Sequence, residues 1–392
     1  MLEWELIVLL LAATLGTALV AKRTGAPITA LEIVMGVVLV YFLGVHLPFG
    51  AGVLATFGSL LIVFLAGLET RIEFLKENWR SAWTIGLPGF AVPALVLFFL
   101  LRQGLGAPLF VSVVGATALA DTSISIVYTT LHQYRLANLP FGRMVLAATL
   151  VVNLSEDATI TSGTLLYSGL TWTLLAILGV LLVLALFLPR LIARLQSEGG
   201  TYFANIPARG ILLSLAAIEL FTSLATIPGI FFVFLMGLVV SRSLDEKSLE
   251  QVQGLAFALF VPLYFVNVGL NVDLPFVLAN LPILLGLVAV ASTAKISALL
   301  PGLRRVFGTA RASKVAVLMN TRLTSATVIL LLMLENGFIS DAWYSLFISG
   351  VVVLALGSSG VLRAFQGFSS AEAARQALGS FRMEPAPSGA TS

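Results

Sequence analysis

Long apolar runs separated by short polar stretches dominate this chain. They lie near residues 4–21, 27–44, 51–67, 82–102, 107–131, 142–167, 171–195, 207–225, 228–241, 254–270, 278–299, 313–334 and 341–364. Most approach the roughly 20 residues that carry an α-helix through a bilayer, and only 228–241 is clearly short. Lipid offers no hydrogen-bond partners, so a crossing segment must pair its backbone groups internally as a helix or in a closed barrel. Barrel strands alternate apolar and polar positions, and these runs do not. The pattern predicts an all-α polytopic membrane protein with about thirteen transmembrane helices.

Composition narrows what else the chain can contain. Of 392 residues, 59% are apolar and 10% charged, and the mean hydropathy is +1.04. Soluble domains carry about 25% charged residues, so a soluble globular reading is excluded. Thirteen crossings take roughly 260 residues, which leaves no room for a large catalytic or regulatory module. Cysteine is absent, which removes disulfides, thiolate catalysis and cysteine metal sites. The two histidines, His46 and His132, do not make a metal cage.

The basic residues test the span count. Nineteen of 22 Lys and Arg fall on one side of the thirteen-span scheme, from Lys22 and Arg23 through Arg304 and Arg305 to Arg382. The other side holds Arg102, while Lys295 and Arg322 fall inside spans. Cytoplasmic loops carry the excess of Lys and Arg, so the C-terminus is expected in the cytoplasm and the N-terminus outside. Glu3 and Glu5 precede the first span and Lys22 and Arg23 follow it, the reverse of a cleavable signal's charge order. Residues 371–392 read as a cytoplasmic tail, largely disordered.

An internal repeat organises the spans. Met35-Gly36 recurs as Met236-Gly237, Gly67-Leu68 as Gly269-Leu270, and Thr122-Ser123 as Thr324-Ser325. The three matches keep their order at one nearly constant offset, the mark of an internal repeat. Each partner is seven spans away, an odd number, so the two halves are expected in opposite orientations. One transporter domain over 1–370 results: repeat one over 4–167, a linking helix over 171–195 and repeat two over 207–364. Inverted repeats of this kind mark secondary transporters.

Six ionisable residues fall inside spans: Glu32, Asp121, Glu156, Asp157, Lys295 and Arg322. An Asp, Lys or Arg at a helix centre costs about 2.5–3.5 kcal/mol on insertion scales. Six facing lipid would cost on the order of 15–20 kcal/mol, so they must pair or face a watery cavity. Asp121 and Arg322 lie in matched spans within polar, helix-interrupting stretches, Thr117–Ser125 and Asn320–Thr327. Two crossed, broken helices are therefore expected, with free helix ends at mid-membrane. Lys295 and Arg322 read equally well as structural ion-pair members. Adjacent acids are a poor structural choice, so the Glu156-Asp157 doublet reads as ion or proton handling, while Glu32 and Glu219, nearer span ends, read as structural. A carboxylate that binds a small hard cation can bind a proton instead, and one acid exposed alternately to each side is sufficient for exchange.

These residues resemble the monovalent cation:proton antiporter superfamily, in particular its thirteen-span sodium/proton exchanger group, over about residues 5–365. PITALEIVMGVVL at 27–39 is similar to the family stretch that carries Glu32 and Gly36. FLAGLE at 64–69, YFVNVGLNVDL at 264–274 and ATALADTSISI at 116–126 resemble further family segments. ASTAKISALL places Lys295 at the family's core lysine, and MNTRLTSATVIL places Arg322 at the arginine of the second crossover. The resemblance implies a homodimer whose core, spans 4–6 and 11–13, moves against a scaffold of the remaining spans. It also implies that Na⁺ and H⁺ are the cargo.

The departure falls at the chemistry. Counted without gaps, the family's acidic pair lands on Val152-Asn153. Glu156-Asp157 follows one helical turn later, on nearly the same face. SEDAT at 155–159 is similar to the Asn-Asp-Ala-Thr pattern of the electroneutral branch. In one reading the doublet has moved by a turn: Asp157 binds the cation or proton, Glu156 pairs with Lys295, and Asn153 and the Thr122 hydroxyl add oxygen ligands. In the other, Asp121 takes over or transport is altered.

The expected function is antiport of Na⁺ or another monovalent cation against H⁺ in the cytoplasmic (inner) membrane. Lipid, small cations and protons are the expected partners, with no cofactor and no nucleic acid. Alternatives are a K⁺/H⁺ exchanger or K⁺-efflux relative, a sodium-coupled organic-anion symporter with Arg322 as anion anchor, or a non-transporting sensor. No HExxH, GxSxG or paired-aspartate protease pattern supports an enzyme.

Overall fold

The computed structural model describes residues 3–69, 72–133, 135–137, 139–168, 179, 183, 187, 206–225, 230–241 and 246–364. Every regular element among them is helical. The first half runs α1 (Glu3–Thr24), α2 (Ile28–Leu43), α3 (Phe49–Glu69), α4 (Ile72–Phe99, continued by a π turn at Leu100–Gly104), α5 (Leu109–Ala120), α6 (Ile124–Gln133) and α7 (Pro140–Ser168). The second runs α8 (Ile206–Ala225), α9 (Ile230–Val240), α10 (Glu246–Leu255, then a π turn at Ala256–Phe260), α11 (Val261–Leu270) and α12 (Leu274–Ala279). It continues with α13 (Leu281–Phe307), α14 (Thr309–Leu318), α15 (Thr324–Glu335) and α16 (Asp341–Ala364).

Every predicted span except the linking one has its helix. The linking span 171–195, apart from residues 179, 183 and 187, and the tail 371–392 lie outside the described residues. Seven described helical stretches are long and apolar enough to cross a membrane, and three shorter ones are apolar. Two helices outrun the apolar segments that predicted them: α4 begins at Ile72 rather than near 82, and α13 ends at Phe307 rather than near 299. Apolarity marks only the lipid-facing length, whereas Glu, Lys and Arg propagate a helix into water about as well as Leu does.

Helix packing divides these elements into two groups. α4, α5, α6, α7 and α13–α16 pack mainly on one another, and α2, α3, α9 and α11 form the heart of a second group. The second group is held by backbone-to-backbone approaches at glycine, the usual device where lipid removes the hydrophobic drive for helix association. A β-carbon added at Gly36 on α2 would lie 2.1 Å from the Val266 carbonyl oxygen and 2.9 Å from Gly269 Cα on α11. One added at Gly269 would lie 2.0 Å from the Ile33 carbonyl oxygen. Gly67 on α3 and Gly237 on α9 repeat the arrangement: a β-carbon added at either would lie 2.2 Å from a carbonyl oxygen of the other helix (Phe234 and Phe64). These four glycines are the ones matched in sequence. Each packs on the repeat partner of the other, so α2–α11 and α9–α3 are equivalent contacts.

Both expected breaks are present. α5 stops at Ala120 and α6 starts at Ile124, while α14 stops at Leu318 and α15 starts at Thr324. Asp121, with φ −57° and ψ 163°, turns the chain out of the helix, and its side chain accepts a hydrogen bond from the Thr122 amide. Short polar side chains that bond their own backbone compete with helical pairing in this way.

Candidate functional site

The two breaks meet. The Ser123 amide donates to the Thr321 carbonyl at 2.8 Å, and the Thr122 hydroxyl donates to the Met319 carbonyl at 2.8 Å. The Ser123 and Thr324 hydroxyls lie 3.0 Å apart. Each broken helix thus supplies partners for groups that the other's break leaves open.

Lys295, on α13, is fully buried at the C-terminal end of α5, where its ammonium donates to the carbonyls of Ala120 and Asp121. A cation is favoured there, because the last carbonyls of a helix have no intrahelical partner and carry the negative end of its dipole. Arg322 is also fully buried; its Nη2 donates to the Ala291 carbonyl on α13 at 3.1 Å, and Nε and Nη1 have no hydrogen-bond partner. Lys295→Met leaves the Ala120 and Asp121 carbonyls without their donor. The expected loss is about 3 kcal/mol of stability, read as a lower thermal unfolding midpoint in detergent, and partly restored in Lys295→Arg.

Asp121 sits at the centre. Its Oδ1 accepts from the Thr122 amide and from Asn153 Nδ2 at 3.0 Å, and Asn153 Nδ2 also reaches the Thr122 carbonyl at 3.1 Å. Asn153, Glu156 and Asp157 all lie on α7, which runs unbroken past the crossing. Glu156 is fully buried, and its carboxyl interacts with Asp121, Asp157 and Lys295. Asp157 interacts with Asp121 and is 6% exposed, against 0% for Asp121 and Glu156. No N–H or O–H of another residue points at Asp121 Oδ2, Asn153 Oδ1 or either Glu156 oxygen, all of them buried, and Asp121 and Glu156 face each other carboxyl to carboxyl. Buried oxygens without such a donor are rare and expensive, so four in one place mark a site with a further task.

The structure therefore brings together Asp121, Thr122, Asn153, Glu156, Asp157, Lys295 and Arg322, drawn from both halves of the chain. The structure adds one detail: Lys295 donates to the Ala120 and Asp121 carbonyls and at the same time interacts electrostatically with Asp121 and Glu156. Glu32 is 2% exposed on α2, with Oε2 unpartnered. The carbonyls of Ala120 and Ala291 were invisible in the sequence, because backbone groups carry no residue signature. Ser292, whose hydroxyl lies 3.3 Å from Asn320 Nδ2, was detectable as the polar residue one turn before Lys295.

A family model described as the transmembrane sodium/hydrogen exchanger matches residues 8–365. The chain belongs to the sodium/hydrogen exchanger family. It is therefore a multi-pass membrane protein of a transporter family. Among curated relatives, this chain is similar to the probable Na(+)/H(+) antiporter 3 of Methanocaldococcus jannaschii, with 27% identity over 259 residues, covering 59% of this chain and 62% of that one. It is 26% identical to the Na(+)/H(+) antiporter of Enterococcus hirae over 377 residues, covering 92% of this chain and 97% of that protein. The solved sodium proton antiporter MjNhaP1 from Methanocaldococcus jannaschii shares the fold, with a TM-score of 0.69 at 16% identity over 94% of this chain and 98% of that one.

Proposed function

We propose that this protein exchanges Na⁺ for H⁺ by alternating access. The observation that carries the reading is the group of buried carboxyl and amide oxygens at the crossing of the two broken helices, at which no N–H or O–H donor of another residue points and where Asp121 and Glu156 face each other. Small monovalent cations are held by such oxygens, and a proton competes for the same lone pairs. Asp157 keeps a trace of solvent exposure, and it alternates between the protonated and the cation-bound form. Asn153 Oδ1 and Asp121 Oδ2 complete the oxygen set, Glu156 adds negative charge, and Thr122 holds the crossing in register. Lys295 holds the end of α5, Arg322 ties the second break to α13, and both balance that charge.

The group built on α4–α7 and α13–α16 moves against the glycine-packed scaffold, with a homodimer as the working unit. The halves take opposite orientations across the cytoplasmic membrane, N-terminus outside and C-terminus in the cytoplasm, as the Lys and Arg distribution supports. No cofactor and no nucleic acid takes part.

The test is exchange in proteoliposomes: an imposed Na⁺ gradient drives proton movement in the wild type, and absence of coupled flux under Na⁺, Li⁺ and K⁺ gradients refutes the reading. Because cation and proton compete for one carboxylate, the apparent KM for Na⁺ is expected to fall as pH rises until that acid is fully ionised. A KM independent of pH would mean separate sites.

A further inference from the structure

A second polar cluster lies outside the crossing. Where the α2–α3 connection meets the ends of α11 and α15, a cavity of about 400 Å³ is lined by His46, Thr56, Asn267, Asn271 and Glu335, among others. Glu335 is the one carboxylate among its lining residues. It closes α15, where the helix dipole presents its negative end, so side chain and backbone favour a cation together. The neutral groups are oriented for the same task. Asn271 Nδ2 is spent on the Asn267 carbonyl at 2.8 Å, which leaves the Asn271 amide oxygen for the cavity. The Thr56 hydroxyl donates its proton to the Gly52 carbonyl at 3.2 Å and keeps its lone pairs.

The cavity is joined to the exchange site along two helix faces. Glu335 follows Thr324 by about three turns of α15, which keeps the two on nearly the same face. Thr324 is the residue whose hydroxyl meets Ser123 at the crossing. Along α11 and the residue that caps it, Tyr264, Asn267 and Asn271 stand at i, i+3 and i+7, again one face. Tyr264 is fully buried, and its hydroxyl interacts with the Thr327 side chain and with Glu335. A polar line thus runs Glu335, Tyr264, Thr327, Thr324, through otherwise apolar helices.

We propose that Glu335, with the oxygens of Asn267, Asn271 and Thr56, forms a second, weak monovalent-cation site that loads the exchange site from the membrane face carrying His46. The transport part of this proposal rests on the exchanger reading. The site is weak by construction: Glu335 reaches water at the end of its helix and has Glu219 as a charge neighbour, so it attracts a cation by about a few-fold, and salt screens that attraction. Weak binding suits a loading station, which must release its ion inward.

The experiment compares wild type with Glu335→Gln in proteoliposomes. Ser340→Cys, at an exposed position on the same face of a chain that otherwise has no cysteine, reports insertion orientation through an impermeant thiol reagent. With Na⁺ presented from that face, the variant's apparent KM rises about three- to five-fold, while the maximal rate and the KM from the opposite face stay unchanged. The difference shrinks as an inert choline salt shortens the Debye length, and Glu335→Asp restores the wild-type KM. Equal KM values from the His46 face overturn the proposal and leave the exchanger reading standing. Equilibrium ²²Na⁺ binding to the protein in detergent reads the site without transport. Loss of a weak, salt-screened component in Glu335→Gln supports the site even in a protein that moves no ions, and identical binding overturns it.

Discussion

Proteoliposomes carrying Asp157→Asn show no Na⁺-driven proton movement above protein-free liposomes. The substitution keeps the side chain's shape and removes its ability to ionise, so neither half of the cation-for-proton swap remains. The site tolerates the change structurally, because Asp157 is not one of the carboxylates fixed by donors at the crossing; that position belongs to Asp121. Retained helicity by circular dichroism and an unchanged gel-filtration profile separate a functional loss from misfolding. Glu156→Gln, which leaves Asp157 ionisable, is expected to weaken Na⁺ binding and retain turnover. Robust exchange in Asp157→Asn together with none in Asp121→Asn would transfer the carrier role to Asp121.

Gly36→Ala unfolds the protein in mild detergent at a markedly lower temperature, with a loss of about 3 kcal/mol or more. The added methyl has no room: at 2.1 Å from a backbone carbonyl oxygen it can be accommodated only by pushing α2 away from α11. Gly237→Ala makes the equivalent intrusion of α9 on α3, at 2.2 Å, and carries a similar loss. Gly163→Ala is the control. Its β-carbon would meet Phe110 at 3.6 Å and Val113 at 3.7 Å, both ordinary contacts. The change is therefore neutral or mildly stabilising through helix propensity, by up to about 1 kcal/mol. Equal melting temperatures for Gly36→Ala and Gly163→Ala would remove the glycine contacts from the account of how the scaffold holds together.

Much of the fold was legible because lipid imposes a simple code. Apolar length located the helices, and the repeat offset singled out the four glycines before their packing was known. Polar residues inside two apolar runs marked the breaks, since Asp121, Thr122 and Ser123 can satisfy backbone groups or one another when the helix stops. The same rule made the intramembrane charges visible, because an ionisable group in hydrocarbon is too expensive to be accidental. Glu335 escaped that rule. It stands at the last residue of its helix, where a carboxylate is cheap, so nothing in the linear pattern set it apart.

The sequence by itself determined that the chain is helical and membrane-spanning, where its helices break, and which few charges lie within the apolar runs. These are consequences of local composition against a uniform solvent, and they need no knowledge of neighbours. Only the tertiary structure decided who faces whom. It put Lys295 on the carbonyls of Ala120 and Asp121, gave Asp121 the Asn153 amide, and set Gly36 against Gly269. Lys295 and its two carbonyls come from opposite halves of the chain, as do the two glycines, and Asn153 belongs to a different helix from Asp121. A hydrogen bond acts over about 3 Å, so its partner is fixed by how helices cross in space.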